Sequence, residues 1–346
     1  MKRILSFGLL ALLVLASGVV FYMTRPSGDI DRYASYRANE TDEPSGGQVK
    51  ATFFGVSTLL FDDGETQILI DGFFSRPSLY AALFTEIESD TSLIDRMVSA
   101  YGMDRVKGIF VAHSHYDHAL DVAYVARRTG ATLYGSASTL NIGRGGRVPE
   151  GQLTLFEPGR DVELGGFRVR VLPSKHSPGN ALQDDGFVIQ EPLRQPAKMD
   201  RFVEGGSYDF YLEHGGHRLF VKASPNYIDG ALEGLRAEVV FLGIATVAKQ
   251  PAAWQEAYYA QTIGVLKPRL VVPLHWDSFF EPISDHLEML PRFATDGEQD
   301  FDFFLSRTRA DQVRFVLLQG TESVLLFKED AGNAVAAGVP EDGAGY

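Results

Sequence analysis

The chain has 346 residues, enough for one large domain or two modest ones with a substantial core. Its composition is that of a globular protein, 45% hydrophobic and 22% charged, and its formal charge of −13 excludes the broad basic face that a nucleic-acid groove needs. Cysteine is absent, which excludes disulfides, thiolate metal ligands and a lipid-bearing Cys, so any metal site must be built from His and carboxylate.

Met1-Lys2-Arg3 is followed by an uncharged, mostly apolar run from Ile4 to Thr24, closed by Arg25-Pro26. About 20 apolar residues suffice to span a bilayer, so residues 1–26 are expected to be a retained membrane anchor, with a cleaved signal peptide ending near Ala16-Ser17-Gly18 as the alternative. Either way the positive start predicts an exported catalytic part, facing the periplasm or the cell exterior. Residues 27–48 are polar and aperiodic and read as a linker. From Val49 the pattern turns to strands: 51–54, 57–61 and 67–70, with a hairpin turn at Asp62-Asp63-Gly64-Glu65 and Asp71-Gly72 ending the return strand. Residues 73–100 are predicted helical. Their aromatic set, Phe73, Phe74, Tyr80 and Phe84, either packs on the sheet or lines a substrate entrance.

The apolar run 108–112 predicts a buried strand, and 120–128 the helix after it. Between them stand His113, His115, Asp117 and His118, three of the chain's eight histidines and a carboxylate within six positions. His113 and His115, two apart at a strand end, point the same way, while Asp117 and His118 in the turn can face a second point beside the first. Imidazoles and a carboxylate at this density suit Zn²⁺, with Mn²⁺ or Fe²⁺ as alternatives. Strand 167–172 runs into Pro173-Ser174-Lys175-His176, and strand 269–274 delivers His275 directly. Three strands therefore release histidines at their carboxyl ends, the rim where ligand sites of α/β proteins gather. Residues 178–207 form an irregular excursion that could cover the site. Strands 209–212 and 217–222 bracket a turn whose His214 and His217 are expected at the surface. Residues 238–243 read as a buried strand, 252–266 as a helix, and 312–317 with 323–327 as a closing hairpin. Trp276, Phe279 and Phe280 are expected to wall the pocket. Residues 329–346 form a Gly- and Ala-rich tail without pattern, expected to be disordered.

His113-Ser-His115-Tyr-Asp117-His118 matches the His-x-His-x-Asp-His signature of the metallo-β-lactamase-fold hydrolases. Phe53-Phe54-Gly55-Val56-Ser57-Thr58, Ile68-Leu69-Ile70-Asp71 and Pro273-Leu274-His275-Trp276 look most like the branch holding ascorbate-6-phosphate lactonase and N-acyl-phosphatidylethanolamine phospholipase D. The resemblance covers about residues 50–328. It implies an α/β fold, a four-layer αββα sandwich over 49–328, preceded here by the hydrophobic anchor. It also implies one or two metal ions, the first held by His113, His115 and His176 and the second by Asp117, His118 and His275. Asp71 would orient ligands from behind, although on the residues alone it serves equally as a turn residue. Asp117 would orient the nucleophile and shuttle a proton, with Lys175, Asn226, Tyr227 and Trp276 near substrate. The family's bridging Asp falls at Ser224, a poor ligand, which puts the second ion in doubt. The expected activity is metal-dependent hydrolysis of an ester, lactone or phosphodiester in a small molecule or lipid. The alternative is a degenerate metal- or ligand-binding module. Oligomeric state stays open.

Overall fold

A computed structural model describes residues 2–38, 43–179 and 182–327, with only the backbone of residues 2–11. The expected tail at 329–346 lies outside these residues. Two seven-stranded sheets face each other. The first contains Val49–Phe53, Leu59–Asp62, Gln67–Ile70, Val106–Phe110 and Thr132–Gly135; the second contains Phe167–Pro173, Tyr208–His214, His217–Lys222, Val239–Gly243 and Leu270–Leu274. Alternation sorts the first sheet's side chains: Phe61, Ile68, Ile70 and Phe110 turn toward the second sheet, while Leu60, Leu69, Ile109 and Val111 turn to the opposite side. There they meet Ile94, Val98, Val122, Val125 and Ile142 from three amphipathic helices, Thr91–Ala100, Val122–Thr129 and Ala137–Gly145. Against the second sheet pack the helices Ala252–Tyr259 and Gly297–Ala310. Burying both faces of a sheet explains why its strands read as nearly continuous apolar runs.

The amino-terminal expectations require correction. Lys2–Thr24 is helical, but among the described residues no helix is long and apolar enough to cross a membrane. The chain leaving it is tied directly to the domain: Phe293 N donates to Met23 O at 3.0 Å and Ser27 N to Leu290 O at 2.9 Å. The membrane-spanning anchor expected here is therefore overturned, and with it the exported, periplasmic placement that rested on it. Nor is all of 27–48 a linker. Ile30–Tyr36 forms a 3-10 helix that buries Ile30 and Tyr33; the Tyr33 ring stacks on Phe301 at 4.6 Å and its hydroxyl donates to Asp302.

Local chemistry also divides the helix expected over 73–100. Ser78 and Asp90 each cap a new start, giving Leu79–Phe84, the two-residue strand Glu86–Ile87 and Thr91–Ala100. Phe73 and Phe74 are core residues, whereas Tyr80 and Phe84 are exposed. The helix expected at 120–128 forms as Val122–Thr129, starting just after Asp121. That carboxylate accepts from the backbone N–H of Phe74 and Ser75 and from the Ser75 hydroxyl, at 2.7 Å each.

Candidate metal centre

The second sheet fixes the rim. Val239–Gly243 runs parallel to His217–Lys222 and to Leu270–Leu274, and Phe167–Pro173 is antiparallel to Tyr208–His214, itself antiparallel to His217–Lys222. The ends that release His176, Ser224 and His275 therefore lie on one edge. In the first sheet, Gln67–Ile70 and Val106–Phe110 are parallel, which brings Asp71 beside the loop 111–118. Asp71 takes a left-handed φ of 54°, its N–H donating to Phe110 O at 2.8 Å, and this turn swings its carboxylate behind the histidine loop. There Oδ1 accepts from Ala112 N at 2.8 Å, while Oδ2 accepts from the Ser57 hydroxyl at 2.5 Å and lies 2.8 Å from His118 Nδ1. Because a carboxylate only accepts, the neutral His118 ring carries its proton on Nδ1 and presents the Nε2 lone pair forward.

The donors gather into two groups, His113–His115–His176 and Asp117–His118–His275, with the ligand atoms of each within 4.8 Å of one another. The groups adjoin, the rings of His113 and His118 having centroids 3.9 Å apart. Asp117 Oδ2 is 3.3 Å from His275 Nε2 and 3.6 Å from His118 Nε2. Burial and the rings of His118, His176 and His115 hold His113 well below the usual imidazole range; burial, aided by His115, brings His176 to about 3. Burial opposes ionisation of Asp117, yet His118 and His275 hold it below the usual carboxylate range. Burial likewise works against a charged His275, but its hydrogen bond with Asp117 prevails and raises it. Burial thus keeps His113 and His176 as neutral imidazoles, and Asp117 stays an ionised carboxylate, the protonation that a divalent cation requires of its ligands. Among the described residues, His113 Nε2 and His118 Nε2 are buried and make no hydrogen bond. Buried polar atoms left unpaired are costly, so donor type and burial both fit a metal.

The other sequence-selected residues divide. Ser224 is buried, its hydroxyl 3.5 Å from His113 Nδ1, and contributes no charge. Asn226 donates its amide to His176 O at 2.5 Å and so steadies that loop. Lys175 is exposed, and Tyr227 packs against Trp254 with centroids 5.6 Å apart. Trp276 does not wall a pocket: it is buried in the core between Phe53 and Phe301. Phe279 does approach the site, edge-on to His275 at 5.7 Å and to Tyr116 at 6.1 Å. His214 is buried rather than superficial, paired with Asp63 at 3.0 Å, and His217 pairs with Glu238; neither belongs to the site.

Two supports escaped sequence reasoning. Arg76 and Asp277 form a fully buried ion pair at 2.7 Å. Asp277 also accepts from Val56 N at 2.7 Å, and Arg76 donates to Phe54 O and Ser278 O. His275 itself, at φ 59°, donates its N–H to Val56 O at 2.7 Å, so this clamp sets the loop that carries it. The second support is Asp184, whose carboxylate lies 3.1 Å from His115 Nε2. Neither has a local signal, since each partner is remote in sequence.

Two facing sheets with histidine and aspartate donors at their common rim define a metallo-hydrolase fold of the β-lactamase type. Residues 51–193 match the sequence profile of the metallo-beta-lactamase superfamily, and the chain is a metal-dependent hydrolase carrying that superfamily's domain. A UPF0173 metal-dependent hydrolase of Heliobacterium modesticaldum is 27% identical over 229 residues, spanning 66% of this chain and 82% of that protein. Igni18, a metallo hydrolase from Ignicoccus hospitalis, superposes with a TM-score of 0.51 at 17% identity, over 82% of this chain and all of that one. The metallo-beta-lactamase fold protein YhfI from Bacillus subtilis gives 0.51 at 14% identity, over 81% of this chain and all of its own. At these identities the two structures share the fold.

Proposed function

We propose that the chain binds one or two Zn²⁺ ions and hydrolyses an ester, lactone or phosphodiester bond in a small molecule or lipid. The observation that carries this reading is the pair of adjoining donor groups, in which the Asp117 carboxylate reaches both His118 and His275. His113, His115 and His176 would hold the first ion; Asp117, His118 and His275 the second. A bound divalent ion supplies Lewis acidity and lowers the pKa of water from about 15.7 to about 7. Asp71 keeps His118 in the tautomer that leaves Nε2 unprotonated. Asp117, poised as an anion between two imidazoles, orients the nucleophile and passes its proton toward the leaving group. Phe279 and Tyr116 shield this edge from water. An all-nitrogen-and-oxygen donor set favours zinc, with manganese or iron distinguished by elemental analysis. A charge of −13 supports a substrate other than nucleic acid.

The test is metal content and turnover on generic phosphodiester, lactone and β-lactam substrates. We expect zinc in the purified protein, loss of hydrolysis on chelation and recovery on adding the ion. His115→Ala should lose both first-site metal and turnover. An inert wild type free of metal would refute the proposal and favour a binding module, the reading that neutral Ser224 would otherwise prompt.

A further inference from the structure

The excursion after His176 closes on itself and on the metal loop. Its two limbs are pinned by Gly205 N to Phe187 O at 2.9 Å and by Gly186 N to the Glu204 carboxylate at 2.9 Å. Glu204 O in turn accepts from Ser114 N at 2.9 Å, between the two histidines of the motif. This arrangement carries Asp184, 3% exposed, to His115, with both carboxylate oxygens 3.1–3.2 Å from Nε2. Asp184 also accepts from Glu204 N at 3.1 Å, which fixes the carboxylate.

We infer that Asp184 is a positioning residue for the first metal site, a role that rests on the metal reading above. A carboxylate only accepts, so the neutral His115 ring donates from Nε2 and keeps the Nδ1 lone pair for the ion. Asp71 does the converse at His118, holding Nδ1 and freeing Nε2. Each donor group thus has its own carboxylate behind one imidazole, one from the core of the first sheet and one from the excursion. Such outer partners fix the tautomer and raise the basicity of the ligand, and losing one typically costs 10–100-fold in metal affinity.

Zn²⁺ titration of chelator-stripped full-length protein, with ions counted after dialysis and Co²⁺ absorption as a spectroscopic check, tests this role. Asp184→Asn keeps an oxygen for Glu204 N but alters the partner of His115. We expect one site to weaken by about 10–100-fold while the other is unchanged, with a shifted Co²⁺ spectrum. Asp63→Asn, at the remote His214 pair, should leave both sites at wild-type affinity. If Asp184→Asn fails to fold, Asp184→Ser is read the same way. Wild-type affinity at both sites in the Asp184 variant, even with a lower melting temperature, overturns the inference alone. A wild type that takes up no ion overturns the metal reading and this inference with it.

Discussion

At Gly55 the backbone has φ +92° and no room for a side chain: a Cβ there would lie 1.6 Å from Arg76 Nη2. The arginine occupies that space because its guanidinium must reach Asp277 and two carbonyls inside the protein. Removing one partner of a buried pair leaves the other charged and unsolvated, so Asp277→Ala should destabilise the fold by about 3–5 kcal/mol. Urea unfolding measures this, and a cost under about 1 kcal/mol, the value typical of an exposed pair, would show that the clamp is not a coupled unit. The histidines were legible at this scale because a dense cluster of one rare residue type announces itself. Arg76, Asp277 and Asp184 were not. Each is an ordinary charged residue whose meaning comes from a partner 201 or 69 positions away.

Helix Gly297–Ala310 went unread because its apolar positions are sparse among charged ones, yet it carries Phe301 and Phe304 into the core. Its first turn holds Asp300, which accepts from Ala248 N at 2.6 Å and from the Thr295 hydroxyl at 2.5 Å. Burial outweighs these bonds and pushes the carboxyl from its ordinary 3.8 up to about 7. The folded state therefore binds this proton more tightly than the unfolded chain. Its contribution to stability is complete below about pH 4 and is lost as pH rises toward 7. In metal-free protein, Asp300→Asn should flatten the fall in urea midpoint between pH 4.5 and 7.5. An unchanged slope would place the pH dependence elsewhere. The strands, in contrast, were mostly visible, because burial on two faces writes long apolar runs into the sequence. Helix boundaries at 78, 90 and 121 depended on which side chain captures which backbone group, information that periodicity does not contain.

Across the whole molecule, the amino-terminal reading failed for a related reason. Composition shows how apolar a segment is, but not that residues 23–37 are stitched to the far end of the chain through Leu290, Phe293 and Leu317. The sandwich itself was implied by the resemblance that the histidine motif and its flanking strands carry. What the sequence does not contain is which of the two sheets each donor-bearing strand joins. Each group takes two residues from the loop after Val106–Phe110, in the first sheet, and one from a strand end of the second, His176 or His275. An ion in either group is then a cross-brace between two slabs otherwise joined by non-directional apolar contact. Amide deuterium uptake should slow in concert along both slabs near this edge when zinc is added, since an opening that parts them must first release the ion. Protection confined to the loop 111–118 would mean that the slabs breathe independently of the cation.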